Sequence, residues 1–112
     1  MNGHFKIAVR SQDGATVIAV SGELDLASAP ALEEELARAA ASDSGLVILD
    51  LRELEFMDST GLGLLVTTNK RAQESGRRFA LVKGGPQVQR LLNLTGVGER
   101  LTLVDSPEEL LA

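Results

Sequence analysis

The feature that most constrains this chain is a hydrophobic period that keeps switching between strand and helix along its length. Phe5-Lys6-Ile7-Ala8-Val9-Arg10 alternates apolar and polar side chains, as a half-buried strand does. Asp13-Gly14 is a hairpin turn signal, and a second strand follows over 15–21 through Val17, Ile18 and Val20. These two strands are expected to pair antiparallel. The period then lengthens. Ser28 is a good N-cap with Pro30 in the first turn. Glu33, Glu34 and Glu35 lie in the N-terminal half, where the helix dipole favours negative charge. Leu32, Leu36, Ala39 and Ala40 recur at helical spacing, and the helix is expected to end near 41–43, before Gly45.

Leu46-Val47-Ile48-Leu49 is apolar without alternation, which reads as a central strand covered on both faces and ending near Asp50. The stretch 52–57 then carries charges around two residues that look buried, Phe56 and Met57. Asp58-Ser59-Thr60-Gly61 opens a second helix, with Leu62, Leu65, Val66 and Asn69 inward, Ala72 below them and Gly76 closing it. Phe79-Ala80-Leu81-Val82 is the next strand. Gly84-Gly85-Pro86 leads into a third helix with Val88, Leu91 and Leu92 inward, stopped near Gly96. Leu101-Thr102-Leu103-Val104 is a last strand, and Ser106-Pro107-Glu108-Glu109 is a capping box for a short terminal helix.

The order is therefore β-β-α-β-α-β-α-β-α. Repeated strand–helix–strand units imply parallel strands joined by right-handed crossovers. If consecutive strands are also neighbours, every crossover helix falls on the same side of the sheet. The expected fold is α/β: a mixed sheet of sequential parallel strands with one antiparallel edge strand and helices mainly on one face. With 112 residues the chain has room for a single domain over 1–112.

Composition narrows the function. Sixteen acidic against eleven basic residues give a net charge of −5, which argues against a direct nucleic-acid binder that must neutralise phosphates. Aromatics make up 3%, too few rings for stacking platforms. Without Cys there is no disulfide, thiolate metal site or Cys nucleophile. The single His, His4, makes His-based catalysis and multi-His metal sites poor readings. No apolar run approaches the ~20 residues of a membrane helix, and the N-terminus does not resemble a signal peptide. The expectation is a cytoplasmic protein without a cofactor, a metal or a membrane.

Three turns are candidate sites, all on the edge where parallel strands end and ligand sites of α/β sheets collect. At Asp58-Ser59-Thr60-Gly61 the plain reading is helix capping. The functional reading is an exposed hydroxyl at a helix N-terminus, beside Gly61 and Gly63, with free backbone N–H groups that would hold a phosphate. Two glycines early in a helix cost about 1 kcal/mol each relative to Ala. Close approach of a partner or a phosphate would explain that cost. Gly22-Glu23-Leu24-Asp25-Leu26 connects the second strand to the first helix and should lie beside the Ser59 turn. Lys83-Gly84-Gly85-Pro86 lacks both the Walker pattern and G-x-G-x-x-G, and reads as a turn with a Pro-initiated helix. An enzyme would need Ser59 as nucleophile. No His activates it, Lys70 lies three helical turns away, and the sequence is not G-x-S-x-G. Asp25 and Asp58 could do acid–base work or hold Mg²⁺, but nothing else supports a substrate pocket. The chain is read as a non-enzyme.

GELDL at 22–26, LDL at 49–51 and MDSTGLGLL at 57–65 resemble the STAS domain family, and within it the stand-alone bacterial anti-sigma-factor antagonists. The resemblance spans essentially the whole chain. It implies a STAS fold and a protein that, unmodified, binds an anti-sigma factor with GHKL-type serine kinase activity and so frees a sigma factor to direct transcription. It implies phosphorylation on the serine after the Asp, here Ser59, reversed by a serine phosphatase. It places partner binding at Asp25, Asp58, Ser59, Thr60, Gly61 and Leu62. Other members suggest alternatives: a STAS subunit of a signalling assembly, a partner of a lipid-transport ATPase, or a small-molecule or nucleotide sensor.

Overall fold

The computed structural model describes residues 4–111. It contains β1 (Lys6–Gln12), β2 (Ala15–Leu24), α1 (Ala29–Ala40), β3 (Leu46–Met57), α2 (Ser59–Glu74), β4 (Arg78–Val82), α3 (Pro86–Thr95) and β5 (Thr102–Val104). A 3-10 turn over Val97–Arg100 precedes β5, and another over Pro107–Glu109 follows it. The sheet order is β1-β2-β3-β4-β5. β1 pairs antiparallel with β2, and the other three pairings are parallel, as the switching period predicts. Asp13 and Gly14 both have positive φ (48° and 83°), which closes a two-residue hairpin whose twist matches its strands.

Because neighbours in sequence are neighbours in the sheet, the three helices share one face. Leu32, Leu36 and Ala39 of α1, Leu62 and Leu65 of α2, and Val88 and Leu92 of α3 pack there on Ile18, Val20, Leu49 and Leu81. The opposite face buries Ala15, Val17, Leu46, Ile48, Val82 and Val104, with Leu110 and Leu111 of the C-terminal segment against them. The terminal helix expected after Ser106 is a single 3-10 turn, held by the Glu109 carboxylate, which accepts the N–H groups of Asp105 (2.7 Å) and Ser106 (3.2 Å).

Several expectations need correction. Ala40 is exposed, while Val66 and Leu91 are half-buried rather than core. Asn69 is also half-buried, and its side-chain amide donates to the Arg100 carbonyl at 3.2 Å. The larger correction concerns β2 and β3. Both run on past their expected ends, to Leu24 and Met57, so 52–57 is strand and not a connection. Two register shifts make this possible. Ala19 to Ser21 faces Asp50 to Glu53, and Gly22 to Glu23 faces Leu54 to Phe56. Each inserts one extra residue into β3, as β-bulges do. Leu51, Leu54 and Met57 therefore all face the core at intervals of three, while Phe56 is 40% exposed instead of buried. Gly22 lies in this distorted segment with φ +92°, and a Cβ there would collide with the backbone carbonyl of His4.

Candidate functional site

The prolonged β2–β3 pair carries two adjoining turns beyond the strand ends. They are tied together by the Asp58 N–H, which donates to the Leu24 carbonyl at 3.1 Å. In the first turn Ser28 is the N-cap position of α1, as expected, but with helical dihedrals and without the expected side-chain cap bond. Asp25 instead accepts the N–H groups of Ala27 and Ser28, both at 3.1 Å, on Oδ1. The Ser28 hydroxyl accepts the Asp25 N–H at 2.9 Å and donates to the Glu23 carbonyl at 2.8 Å. The turn is thus stitched from both sides, and Leu26 is pushed outward with 74% of its surface exposed.

In the second turn Asp58 is the N-cap of α2. Its Oδ1 accepts from Thr60 N–H at 2.9 Å and Gly61 N–H at 3.1 Å. The expectation of free N–H groups around Ser59 is therefore corrected: the cap carboxylate occupies those of Thr60 and Gly61. Ser59 is the first helical residue and is exposed. Thr60 and Asp58 are half-buried, whereas Gly61 and Leu62 are buried. Those last two support the turn from beneath instead of offering side-chain surface. The cost of Gly61 also has an internal cause. A Cβ there would stand 2.7 Å from Leu24 Cγ and 2.9 Å from Met57 Cγ, so the helix could not start so close to the strand ends. Nothing lies within 4 Å of a Cβ built at Gly63, which is exposed.

One further residue holds the site, and the sequence pattern did not signal it. The Gln87 amide, near the start of α3, accepts the Met57 N–H at 2.9 Å and donates to the Met57 carbonyl at 3.0 Å. It thereby continues β3 with a side chain acting as a strand neighbour, one residue before Asp58. Lower on β3, Asp50 is buried and is gripped by Arg52 (2.7–3.2 Å). Burial pushes the Asp50 carboxyl up, but the Arg52 hydrogen bonds and charge outweigh it and hold the group below the ordinary carboxylate range. Lys83, at the third candidate turn, makes an ion pair with Asp105 at 3.4 Å. Gly84 N–H is taken by Gln89 Oε1 at 3.0 Å, consistent with a structural turn.

This architecture is that of a known family. A STAS domain profile matches residues 6–110, and the chain belongs to the STAS domain family. Among its relatives, the anti-sigma-F factor antagonist RsfB of Mycobacterium tuberculosis is 31% identical over 97 residues, covering 87% of this chain and 79% of that protein. The anti-sigma-B factor antagonist of Staphylococcus aureus is 29% identical over 105 residues, covering 94% and 97%. The crystal structure of an anti-sigma factor antagonist from Mycobacterium paratuberculosis superposes with a TM-score of 0.86 at 31% identity, covering 94% of this chain and 89% of that one.

Proposed function

We propose that this chain is an anti-sigma-factor antagonist, a regulator and not an enzyme. In its unmodified form the Asp25 and Asp58–Ser59 turns bind an anti-sigma factor carrying GHKL-type serine kinase activity. That kinase phosphorylates Ser59 and ends the binding, and a serine phosphatase restores it. The observation that carries the reading is the exposed Ser59 at the start of α2, directly after its Asp58 cap, in a turn tied by a hydrogen bond to the Asp25 turn. Relatives with antagonist names over nearly the full chain support the same reading.

The phosphate acts by local charge and bulk. It brings about −1.5 to −2 charge to a surface that already holds Asp25 and Asp58. The fold has no reason to melt, because Ser59 is exposed and its side chain is not part of the core.

The experiment uses the anti-sigma factors with a GHKL-type kinase domain encoded in the same genome, purified one by one with ATP. One phosphate is expected on Ser59, absent from Ser59→Ala, which still folds and binds. Label on Thr60, or labelling that survives Ser59→Ala, rejects the site. Calorimetry of wild type, Ser59→Ala, Ser59→Asp and Ser59→Leu at two salt concentrations then separates charge from bulk. If charge dominates, added salt restores part of the Ser59→Asp binding. If bulk dominates, Ser59→Leu blocks as well as Ser59→Asp. Equal affinity for all four proteins would remove this turn from the binding surface and overturn the switch.

A further inference from the structure

A lone exposed leucine on a protein surface is ordinary; its position gives this one meaning. Four large apolar side chains stand exposed among the described residues: Val9, Leu26, Phe56 and Leu94. Val9 and Leu94 lie on β1 and α3, away from the turns. Leu26 lies inside the hydrogen-bonded turn that touches the Asp58 backbone. The structural needs of that turn are met without it. The Asp25 carboxylate, the Ser28 hydroxyl and backbone groups make every hydrogen bond described there, and the leucine side chain is three-quarters in water.

Acidic groups lie close to it in the two turns: Glu23 and Asp25 precede it in sequence, and Asp58 caps the adjoining turn. Two nearby cations, Arg52 and Lys83, are paired with Asp50 and Asp105. An exposed apolar side chain beside acidic turn residues has the form of an interface hot spot: an anchor to be desolvated in a pocket, with polar groups near it that help select the partner by charge.

We infer that Leu26 is the apolar anchor of the partner interface, and that it enters an apolar pocket on the anti-sigma factor whose rim carries Arg or Lys side chains facing Glu23, Asp25 and Asp58. This inference rests on the function proposed above. Phosphate on Ser59 then adds anionic charge and bulk beside the anchor, so the same contact that gives affinity is the one the modification spoils. Leu26 is also a specificity determinant, because the pocket must fit its side chain.

The test is calorimetry of each purified anti-sigma factor kinase of the genome against wild type, Leu26→Ala, Leu26→Glu, Leu26→Lys and Leu94→Ala. Leu94 is 78% exposed and serves as the matched control. Leu26→Ala should bind the partner at least tenfold more weakly with an unchanged melting temperature, and Leu94→Ala within about twofold of wild type, since truncating an anchor costs far more than truncating a bystander. Leu26→Lys should bind more weakly than Leu26→Glu, because the rim is cationic. A partner that binds wild type and loses affinity for Ser59→Asp, yet binds Leu26→Ala as wild type, overturns the anchor and leaves the proposed function standing. Tighter binding of Leu26→Lys than of Leu26→Glu overturns the cationic rim. Binding of wild type by none of the kinases overturns the proposed function and the anchor with it.

Discussion

Gly61 and Gly63 stand two residues apart in the first turns of α2, and the structure assigns them opposite responses to a methyl group. At Gly61 an added Cβ would meet Leu24 Cγ at 2.7 Å, Leu24 Cδ2 at 2.9 Å and Met57 Cγ at 2.9 Å. Carbon atoms in contact sit about 3.5–4.0 Å apart, so three contacts are short by roughly 0.6 Å or more. Leu24 and Met57 are both fully buried and have no solvent to retreat into. Overpacking of this kind costs about 1–3 kcal/mol, and three simultaneous overlaps place it in the upper part of that range. Replacing a helical glycine returns about 1 kcal/mol. Gly61→Ala should therefore destabilise the protein by about 1–2 kcal/mol net. At Gly63 the added methyl meets nothing within 4 Å, so only the helix gain of about 0.5–1 kcal/mol remains. For a chain of this length 1 kcal/mol moves the melting temperature by about 4 °C. Thermal unfolding followed by circular dichroism should show Gly61→Ala melting about 4–8 °C below wild type and Gly63→Ala about 2–4 °C above it. A Gly61→Ala protein as stable as wild type would refute the argument that α2 starts in contact with Leu24 and Met57.

Other expectations follow from the residues that hold the turns. Gln87→Ala removes both bonds to the Met57 backbone; it should cost about 1–3 kcal/mol in urea unfolding and speed hydrogen exchange at the Met57 amide, and unchanged exchange there would reject the clamp. Arg52→Met strands the buried Asp50 carboxylate and should cost about 1–3 kcal/mol at pH 7. Since the folded Asp50 carboxyl is held below its unfolded value near 3.9, its contribution is present above that pH and is lost as pH falls through the lower folded value. The stability gap between wild type and Arg52→Met should therefore shrink below about pH 4; a gap independent of pH would show that the pair does not act through ionisation.

What the sequence discloses and what it hides divide along local and non-local lines. Strand order and the starts of α2 and α3 are legible because hydrophobic period, caps and turn residues act within a few positions. The outer halves of β2 and β3 are not legible. Two bulges place Leu51, Leu54 and Met57 inward at intervals of three, a spacing that fits neither a regular strand nor a helix. The period rule fails there because the bulges are produced by pairing between strands that lie about thirty residues apart. The same holds for Gly61. Its sequence context suggested an outside partner, and its actual neighbours are Leu24 and Met57, at the ends of β2 and β3. Val66 and Leu91 satisfy the helical period, but each lies at the margin of its helix's contact with the sheet and is only half-covered. Ser28 shows a cap position whose side chain is drawn elsewhere: its hydroxyl is turned back to the Glu23 carbonyl, while the Asp25 carboxylate takes the N–H groups of Ala27 and Ser28 ahead of the helix.

The cap arrangement also bears on where a phosphate on Ser59 would go. An open helix N-terminus draws an anion inward onto its first N–H groups. In α2 the Asp58 carboxylate already accepts from Thr60 and Gly61 and already answers the positive end of the dipole. A phosphate on the next residue therefore finds little of that attraction left and a fixed negative charge beside it. Its favourable position is outward, into water, above the same edge from which Leu26 projects. An anion held outward changes the surface a partner meets and leaves the buried contacts of Gly61, Leu62 and Leu65 as they were. Under the proposed function, Asp58 thus has two roles that follow from one geometry: it starts the helix that presents Ser59, and it turns the phosphate toward the partner instead of toward the protein.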